Sequence, residues 1–305
     1  MRIAVIGDIH LYRLKVPARR LIGKRLLGQS NLWFNRRFRF NHDMLEEVVE
    51  RAAALEPDMV LLTGDVTSTS LEDEFADIAH SLKPLSEKFP TVLVPGNHDR
   101  YTFRSARKKR IEGLLKSMLP QRFPHTQALV GRWHLLALDS ARPQYMLSRG
   151  ALGEAQLAEA ETFLHGLSAD DGVVILCHYP PDTPPGMPTS WAHDLADNQQ
   201  LREVLSGTRA RVLFMHGHVH RPWHWEQSNG HGRRMSCLNA GAPCMTSALY
   251  PSGQGFWQVE LPHDPHDEVT LIHHVPAPEG HYGTRLPRRH AQRSVEDTWQ
   301  ARRVT

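Results

Sequence analysis

Six apolar runs, each four residues long and rich in Val, Ile and Leu, recur along the first 215 residues. An apolar run without polar alternation is typical of a strand that is buried on both faces. Helical patterns separate most of the runs, and they cover residues 44–55, 75–82, 152–167 and 201–205. This alternation predicts a layered α/β fold with much of its sheet buried. The runs are Ile3–Ile6, Met59–Leu62, Thr91–Val94, Leu135–Leu138, Val173–Leu176 and Val212–Met215.

The remainder of the chain contains two strands of a different kind and a tail. Phe256–Leu261 and Val269–Val275 alternate between apolar and polar residues, which predicts antiparallel strands. From residue 276 the chain is rich in Pro, Gly and Arg, which is typical of a loose terminus. We therefore expect one domain over residues 1–275 and a C-terminal tail over residues 276–305.

The composition excludes several classes of protein. With 40% hydrophobic and 23% charged residues, the chain is globular rather than disordered. No apolar run approaches the roughly 18 residues of a membrane span, and the first residues lack the pattern of a signal peptide. Cys177, Cys237 and Cys244 form no CxxC pair, so the sequence indicates neither a disulfide framework nor a zinc ribbon. These features predict a location in the reducing cytoplasm.

Candidate ligand residues follow five of the six apolar runs. The carboxyl ends of strands in layered α/β folds meet at one edge, where ligands bind. We therefore expect side chains from five strands to converge on one site. They are Asp8 and His10 after the first run, Asp65 after the second, Asn97, His98 and Asp99 after the third, His178 after the fifth, and His216, His218 and His220 after the sixth.

These residue types suit divalent metal ions. Carboxylate and imidazole groups are ligands for Mn, Fe, Zn or Co. Residues two apart on an extended segment point the same way, so Asp8 and His10 are expected to reach one ion, as are His218 and His220. The ligands are too many for one tetrahedral site. They suit two ions about 3.5–4 Å apart, which is the arrangement that assists phosphoryl displacement.

In this order, the D-x-H, G-D, G-N-H-D, lone His and G-H-x-H motifs resemble those of the calcineurin-like metallophosphoesterase superfamily. The five motifs span residues 7–220. The resemblance implies a layered β-sandwich flanked by helices, with the active site at the carboxyl ends of the strands. It also implies a ligand set for each ion. Asp8, His10 and His220 would hold the first ion, Asn97, His178 and His218 the second, and Asp65 would bridge them.

The same resemblance implies a mechanism for a phosphoester hydrolase. A hydroxide held between two divalent ions, with Mn favoured over Fe, Zn or Co, would attack phosphorus. His98 would protonate or stabilise the leaving oxygen, and Asp99 would orient His98. His216 is expected to be structural or to support a ligand. An inactive binding module is the alternative from another class.

Residues 11–40 form a basic insertion that carries nine Arg and Lys residues and no Asp or Glu. It also contains apolar residues, of which Leu21, Ile22, Leu26, Trp33 and Phe34 are the candidates for membrane contact. Basic residues mixed with Trp, Phe and Leu are typical of an interfacial membrane segment. A solvated loop and a nucleic-acid footprint with stacking aromatic residues are the alternatives.

Further basic residues follow the G-N-H-D motif, and Arg100 and Arg104 are candidates to bind an anionic phosphoester. The segment from Lys24 to Leu32 is similar to that of the chlamydial-type UDP-2,3-diacylglucosamine pyrophosphatases of lipid A biosynthesis. This second resemblance implies a nucleotide-linked lipid substrate and a peripheral position at the inner face of the plasma membrane.

Two other substrate classes stay open. The Gly150–Leu164 segment after the Leu-Asp-Ser strand is similar to the cyclic-nucleotide phosphodiesterase branch of the superfamily, which implies a soluble cyclic nucleotide or related phosphodiester. The basic residues also suit a nuclease, because they can contact a phosphate backbone.

Overall fold

A computed structural model describes residues 1–14, 16–17, 25–26, 28, 30, 38–145, 147–187, 190–276 and 299–304. Seven helices lie wholly within these residues, namely α1 (Met44–Ala54), α2 (Glu72–Ser81), α3 (Lys83–Ser86), α4 (Phe103–Arg107), α5 (Arg110–Leu114), α6 (Glu154–His165) and α7 (Asn198–Gly207), and residues 25, 26, 28 and 30 are also helical. Twelve strands accompany them, namely β1 (Arg2–Ile6), β2 (Met59–Leu62), β3 (Thr91–Leu93), β4 (His125–Ala128), β5 (Trp133–Leu138), β6 (Gly172–Cys177), β7 (Arg211–His216), β8 (Trp223–Ser228), β9 (Arg234–Asn239), β10 (Phe256–Glu260), β11 (Thr270–Pro276) and β12 (Trp299–Val304).

The strands form two six-stranded sheets that pack face to face. The first sheet has the order β12-β11-β10-β1-β2-β3, and the second has the order β4-β5-β6-β7-β9-β8. Strands β1, β2 and β3 are parallel, as are β5, β6, β7 and β9. Strands β10 and β11 pair antiparallel, as their alternating pattern predicts. The expected α/β fold, a layered β-sandwich flanked by helices, is thus confirmed.

The core has three layers of apolar side chains, which explains why the strands carry unbroken apolar runs. Ile3 and Val5 of β1 point between the two sheets and pack with residues such as Leu213 of β7. Ala4 and Ile6 of the same strand point the other way, against the helices that cover the first sheet. A third layer packs α6 and α7 against the outer face of the second sheet. Each central strand is therefore buried on both faces.

The end of the predicted tail differs from the loose terminus that its composition indicates. Strand β12 pairs antiparallel with β11, so that Trp299 lies opposite Pro276 and Val304 opposite Leu271. Trp299 is buried in the layer beneath the helices, next to Phe256. Burial of this indole contributes favourable free energy, which stabilises a strand in a stretch of otherwise polar sequence. Residues 277–298 lie outside the described residues, so the division of the chain into a domain and a tail stays a prediction.

A buried histidine in β11 makes the stability of the fold sensitive to acid. His273 stacks on Trp257 with ring centroids 4.4 Å apart, and burial lowers the pKa of its imidazole from 6.5 to about 4. On acidification the unfolded chain therefore binds this proton first, and stability falls as the pH drops from about 6.5 towards 4. Between pH 7 and pH 5 we expect protonation of His273 alone to lower the free energy of unfolding by about 2 kcal/mol.

Urea unfolding of the parent and of His273→Phe at pH 7 and pH 5 measures this contribution. Phenylalanine keeps the stacked ring on Trp257 and cannot bind a proton. The variant should therefore lose less stability than the parent on acidification. Equal losses in the two proteins would show that His273 does not titrate as its burial implies.

Candidate metal centre

The motif residues meet where the carboxyl ends of strands from both sheets come together. Strands β1, β2 and β3 of the first sheet lead into Asp8, Asp65 and Asn97. Strands β6 and β7 of the second sheet lead into His178 and His218. The site is therefore built across the two sheets, and all seven residues predicted as ligands lie within it.

One group of potential ligands consists of His10, Asp65 and His220. Nε2 of His10 lies 2.7 Å from Nε2 of His220 and 3.6 Å from Oδ2 of Asp65. Asp8 adjoins this group, with its Oδ2 atom 4.0 Å from Nε2 of His220. Two imidazole nitrogens and two carboxylates at this spacing can hold one divalent ion.

A second group consists of Asp65, His178 and His218, joined by the side-chain oxygen of Asn97. His178 donates its Nδ1–H to the carbonyl of Thr63, at 2.8 Å, so in the neutral ring Nε2 carries only a lone pair. That nitrogen lies 3.2 Å from Oδ1 of Asn97 and 3.4 Å from Oδ2 of Asp65. Atoms that all offer electron pairs thus face one another, which is the environment of a cation.

His218 is oriented in the same way from the opposite side of the second group. Its Nε2–H donates to the backbone carbonyl of His193, at 2.7 Å. Its Nδ1 lies 3.1 Å from Oδ1 of Asn97. A ligating histidine usually donates its other ring N–H to a carbonyl or carboxylate, which holds the ring in place.

The two buried carboxylates provide a direct test of whether divalent ions fit the site. Oδ2 of Asp8 and Oδ2 of Asp65 are buried and have no hydrogen-bond donor among the described residues. Burial raises the pKa of Asp8 to about 8, opposed by His178 and reinforced by the nearby Asp65. Divalent cations between these oxygens would offset both the burial and the mutual repulsion. The donor set therefore fits metal ions.

The backbone presents the ligands in a different way from the sequence prediction. His10, His218 and His220 have φ values of 53°, 72° and 55°, so they are left-handed rather than extended. The idea that alternate side chains point together on an extended segment was therefore wrong for D-x-H and G-H-x-H. Such conformations cost of order 1 kcal/mol each, and they persist because the packed strands on either side hold the loops.

Glycines are needed where the ligand loops approach each other. A Cβ atom at Gly96 would lie 2.2 Å from Oδ1 of Asp65, and one at Gly217 would lie 2.5 Å from Oδ1 of Asp8. Both distances are far below van der Waals contact. The glycine of each motif therefore lets one loop pass directly over a carboxylate that belongs to another.

His98 lies beside both groups of potential ligands. Its ring is 4.7 Å from that of His10 and stacks on Tyr101 at 5.2 Å. Its Nδ1–H donates to the carbonyl of Ser68, at 2.6 Å, which leaves Nε2 as the nitrogen that can exchange a proton. Its backbone N–H donates to Oδ1 of Asp65, at 2.7 Å.

Asp99 was expected to orient His98, but its hydrogen bonds join two neighbouring loops. It accepts hydrogen bonds from the backbone N–H groups of Val66, Thr67 and Gly96 and from the Thr67 hydroxyl, all within 3.4 Å. The ring of His98 is instead held by Ser68. Asp99 therefore joins the loops after β2 and β3 and positions the ligands that they carry.

The guanidinium of Arg100 forms two ion pairs, and Arg100 does not line the cavity described below. Its guanidinium contacts Glu112 at 2.6 Å and Asp139 at 2.8 Å, and only 13% of the side chain is exposed. A role of Arg100 in substrate binding stays a prediction, and sequence position alone does not show which carboxylates the fold brings to this side chain. Arg104 is exposed on α4, and it does not line the cavity described below.

Only part of the basic insertion lies within the described residues. Leu26 is 53% exposed, which is compatible with its predicted role in membrane contact. Leu21, Ile22, Trp33 and Phe34 lie outside the described residues. Among the residues that the structure describes, no helix is long and apolar enough to cross a bilayer.

An open cavity of about 510 Å³ adjoins the two groups of potential ligands. Asp65, Asn97, His98, His218 and His220 line its floor. This volume lies within the range of about 300–1,000 Å³ that is usual for small-molecule sites. The cavity is thus large enough for a small phosphoester next to the ligands.

The far wall of this cavity was missed by sequence reasoning. It includes Asp182, Asn198 and Arg202, which belong to the β6–α7 connection and to α7. Asp182 and Arg202 form an ion pair at 3.5 Å. The available signal was the length of the connection after His178, since long loops at strand ends often carry binding residues.

Comparison with solved structures supports the fold. A dimetal phosphatase from Danio rerio superposes with a TM-score of 0.58 at 14% sequence identity, covering 89% of this chain and 94% of that one. An identity this low concerns the architecture alone.

Curated sequences include more similar proteins. A protein named a probable cyclic nucleotide phosphodiesterase from Rhodopseudomonas palustris is 30% identical over 183 residues, which cover 59% of this chain and 64% of the relative. The 3′,5′-cyclic adenosine monophosphate phosphodiesterase of Haemophilus influenzae is 25% identical over 213 residues, which cover 68% of this chain and 71% of the relative.

The family model described as calcineurin-like phosphoesterase matches residues 1–222. That range contains every predicted metal ligand and His98. The resemblance based on five short motifs is thereby confirmed, as is the predicted class of enzyme, a phosphoester hydrolase. This chain belongs to the calcineurin-like phosphoesterase family.

Proposed function

We propose that the chain is a dimetal phosphodiesterase that hydrolyses a cyclic nucleotide or a similar soluble phosphodiester. The observation that carries the proposal is the position of Asp65. Its orphaned Oδ2 atom lies 3.6 Å from His10 on one side and 3.4 Å from His178 on the other. One oxygen shared by two ligand groups suits two ions, with Asp65 as the bridge.

The ligand roles follow from the two groups. Asp8, His10 and His220 would hold one ion, and Asn97, His178 and His218 the other. Divalent ions there, with Mn favoured, would supply Lewis acidity toward the phosphoryl oxygens. His98 would pass a proton to the leaving oxygen through Nε2, since Ser68 occupies its Nδ1–H.

The cyclic-nucleotide substrate is favoured over the lipid-linked one for two reasons. The relatives from Rhodopseudomonas palustris and Haemophilus influenzae are named phosphodiesterases of cyclic nucleotides. The cavity also combines ligand residues on its floor with polar groups such as Asn198 and Arg202 on its wall. These can hydrogen-bond a sugar and a base, whereas the described lining contains few large apolar residues for acyl chains.

Hydrolysis assays with the Mn-loaded protein test this proposal. We expect turnover of 3′,5′-cyclic AMP and bis-p-nitrophenyl phosphate, and loss of turnover after chelation with EDTA. The monoester p-nitrophenyl phosphate should react more slowly under the same conditions. A parallel assay uses UDP-2,3-diacylglucosamine in anionic vesicles. Binding of the protein to the same vesicles is measured by sedimentation.

The outcomes separate the substrate classes. Turnover of the lipid without turnover of cyclic AMP would favour the lipid-linked hypothesis and a membrane role for residues 11–40. Degradation of oligonucleotides with binding that weakens steeply in salt would indicate a nuclease. Absence of turnover on every phosphoester by metal-loaded protein would favour a binding module.

A further inference from the structure

Arg25 belongs to the basic insertion, yet its side chain is buried rather than directed to solvent. It is 7% exposed and lies in a helical segment that includes residues 25, 26, 28 and 30. Nε donates to the carbonyl of Thr69 at 3.0 Å, and Nη2 donates to the carbonyl of Ser70 at 3.1 Å. A buried guanidinium with both arms on backbone carbonyls holds a chain segment in place.

The segment that Arg25 holds is the one that orients His98. Ser68 accepts the hydrogen bond from Nδ1 of His98, one residue before Thr69. Ser70 donates from its hydroxyl to the backbone carbonyl of His98, at 3.0 Å, and accepts from the N–H of Tyr101, at 2.9 Å. Residues 68–70 thus contact His98 from the side chain and from the backbone.

The conformation of this segment is strained, so it needs such support. Ser70 has a φ of 50°, in the left-handed region that non-glycine residues seldom adopt. Two charged side chains converge on its carbonyl, because Arg110 also donates to it, at 2.8 Å. On the other side, buried Glu74 accepts from the N–H groups of Thr69 and Leu71. The loop is therefore held between one carboxylate and two guanidinium groups.

A second contact joins the insertion to His98 independently of Arg25. A Cβ atom at Gly28 would lie 2.6 Å from the hydroxyl oxygen of Tyr101. Tyr101 is buried and stacks on the ring of His98, with an interplanar angle of 16°. The same helical segment therefore contacts both supports of the imidazole, namely the loop over residues 68–70 and the ring of Tyr101.

From these contacts we propose that Arg25 is a positioning residue for His98, acting through the carbonyls of Thr69 and Ser70. The inference rests on the proposed role of His98 in proton transfer. It assigns part of the insertion to the catalytic apparatus rather than to a surface. Loss of the two hydrogen bonds would let Ser68 move, and Nε2 of His98 would then sit away from the leaving oxygen.

A double-mutant cycle on the full-length, Mn-loaded protein tests the proposal, with 3′,5′-cyclic AMP as the probe because its alkoxide leaving group needs a proton. Arg25→Met keeps the aliphatic stem and removes every donor. It should lower kcat about ten- to hundredfold with KM and metal content near those of the parent, because misplacing a reacting group by about 1 Å has such effects. Arg25→Lys should recover part of the loss. In the His98→Ala background, Arg25→Met should change kcat by less than about twofold.

Arg122→Met is the matched control, because Arg122 is 76% exposed and its guanidinium contacts Glu159 rather than the loop over residues 68–70. It should leave kcat unchanged. If Arg25→Met does not yield folded protein, Arg25→Lys supplies the same comparison, since a single ammonium cannot replace the two donors that reach Thr69 and Ser70. An equal loss of kcat with and without His98, a rise in KM alone, or an unchanged kcat would each overturn the proposal.

The cycle also distinguishes this inference from the proposed function. If His98→Ala lowers turnover and Arg25→Met does not, the positioning role alone fails. If the parent does not hydrolyse the diester, or His98→Ala leaves turnover unchanged, both the role of His98 and the inference built on it are wrong.

Discussion

Replacement of Asp65 by asparagine is expected to lower turnover by at least about 10³-fold, since bridging charge at a two-metal site is worth several kcal/mol. Asparagine keeps an oxygen that can accept the N–H of His98, at 2.7 Å in the parent. It replaces the charged oxygen that lies between His10 and His178. The bound metal, measured by plasma mass spectrometry, should fall below two ions per chain. Asp65→Ala should be impaired at least as severely.

Asp170→Asn is a suitable control for this variant. Asp170 is exposed, and its carboxylate contacts His266 at 3.2 Å, outside the groups of potential ligands. The control should retain the metal content and the turnover of the parent. Full activity of Asp65→Asn, or two tightly bound ions in Asp65→Ala, would disprove the bridging role.

Replacement of His98 by alanine is expected to have the second largest effect. Loss of a general acid usually costs about 10²- to 10⁴-fold in rate. The metal content should stay near that of the parent, because the ligand groups contain other side chains. Turnover and metal content of the purified variant, measured together, separate a catalytic role from a ligand role. An empty site in His98→Ala would show that His98 is itself a ligand.

The leaving group provides a sharper test of the same role. An alkoxide leaving group, as in cyclic AMP, needs a proton more than p-nitrophenolate does. His98→Ala should therefore lose more activity on cyclic AMP than on bis-p-nitrophenyl phosphate. His80→Ala, at an exposed position at the end of α2, is the matched control and should match the parent on both substrates. Equal losses of His98→Ala on the two substrates would contradict proton donation.

The central strands and the alternating strands β10 and β11 could be predicted from sequence, whereas strands such as β8 and β12 could not. Strand β1 is buried on both faces, so its four apolar residues form an unbroken run. Strand β8, with the sequence WHWEQS, lies at the edge of its sheet and is only partly buried. Edge strands need fewer apolar residues, so their pattern resembles that of a loop. Strand β12 follows a Pro- and Arg-rich stretch, and only its pairing with β11 reveals it.

The sequence predicted the ligand set better than it predicted the residues around that set. The ligands follow strand ends directly, so their positions depend on local chain geometry. Arg100 is also adjacent to a motif, but its direction depends on Glu112 and Asp139, which lie 12 and 39 residues away. Arg25 is similar, because its partners are 44 and 45 residues away in sequence. Such long-range pairings are not encoded in any local pattern.

The sequence by itself determined which residues could bind metal ions and in what kind of fold, because the buried strands and the polar groups after them are local features. Only the tertiary structure decided how these residues combine. It brought strand ends from two separate sheets together, placed one oxygen of Asp65 between two ligand groups, and turned Arg25 of the basic insertion inward onto the loop that holds His98. These arrangements depend on contacts between distant segments, which form only when the two sheets pack.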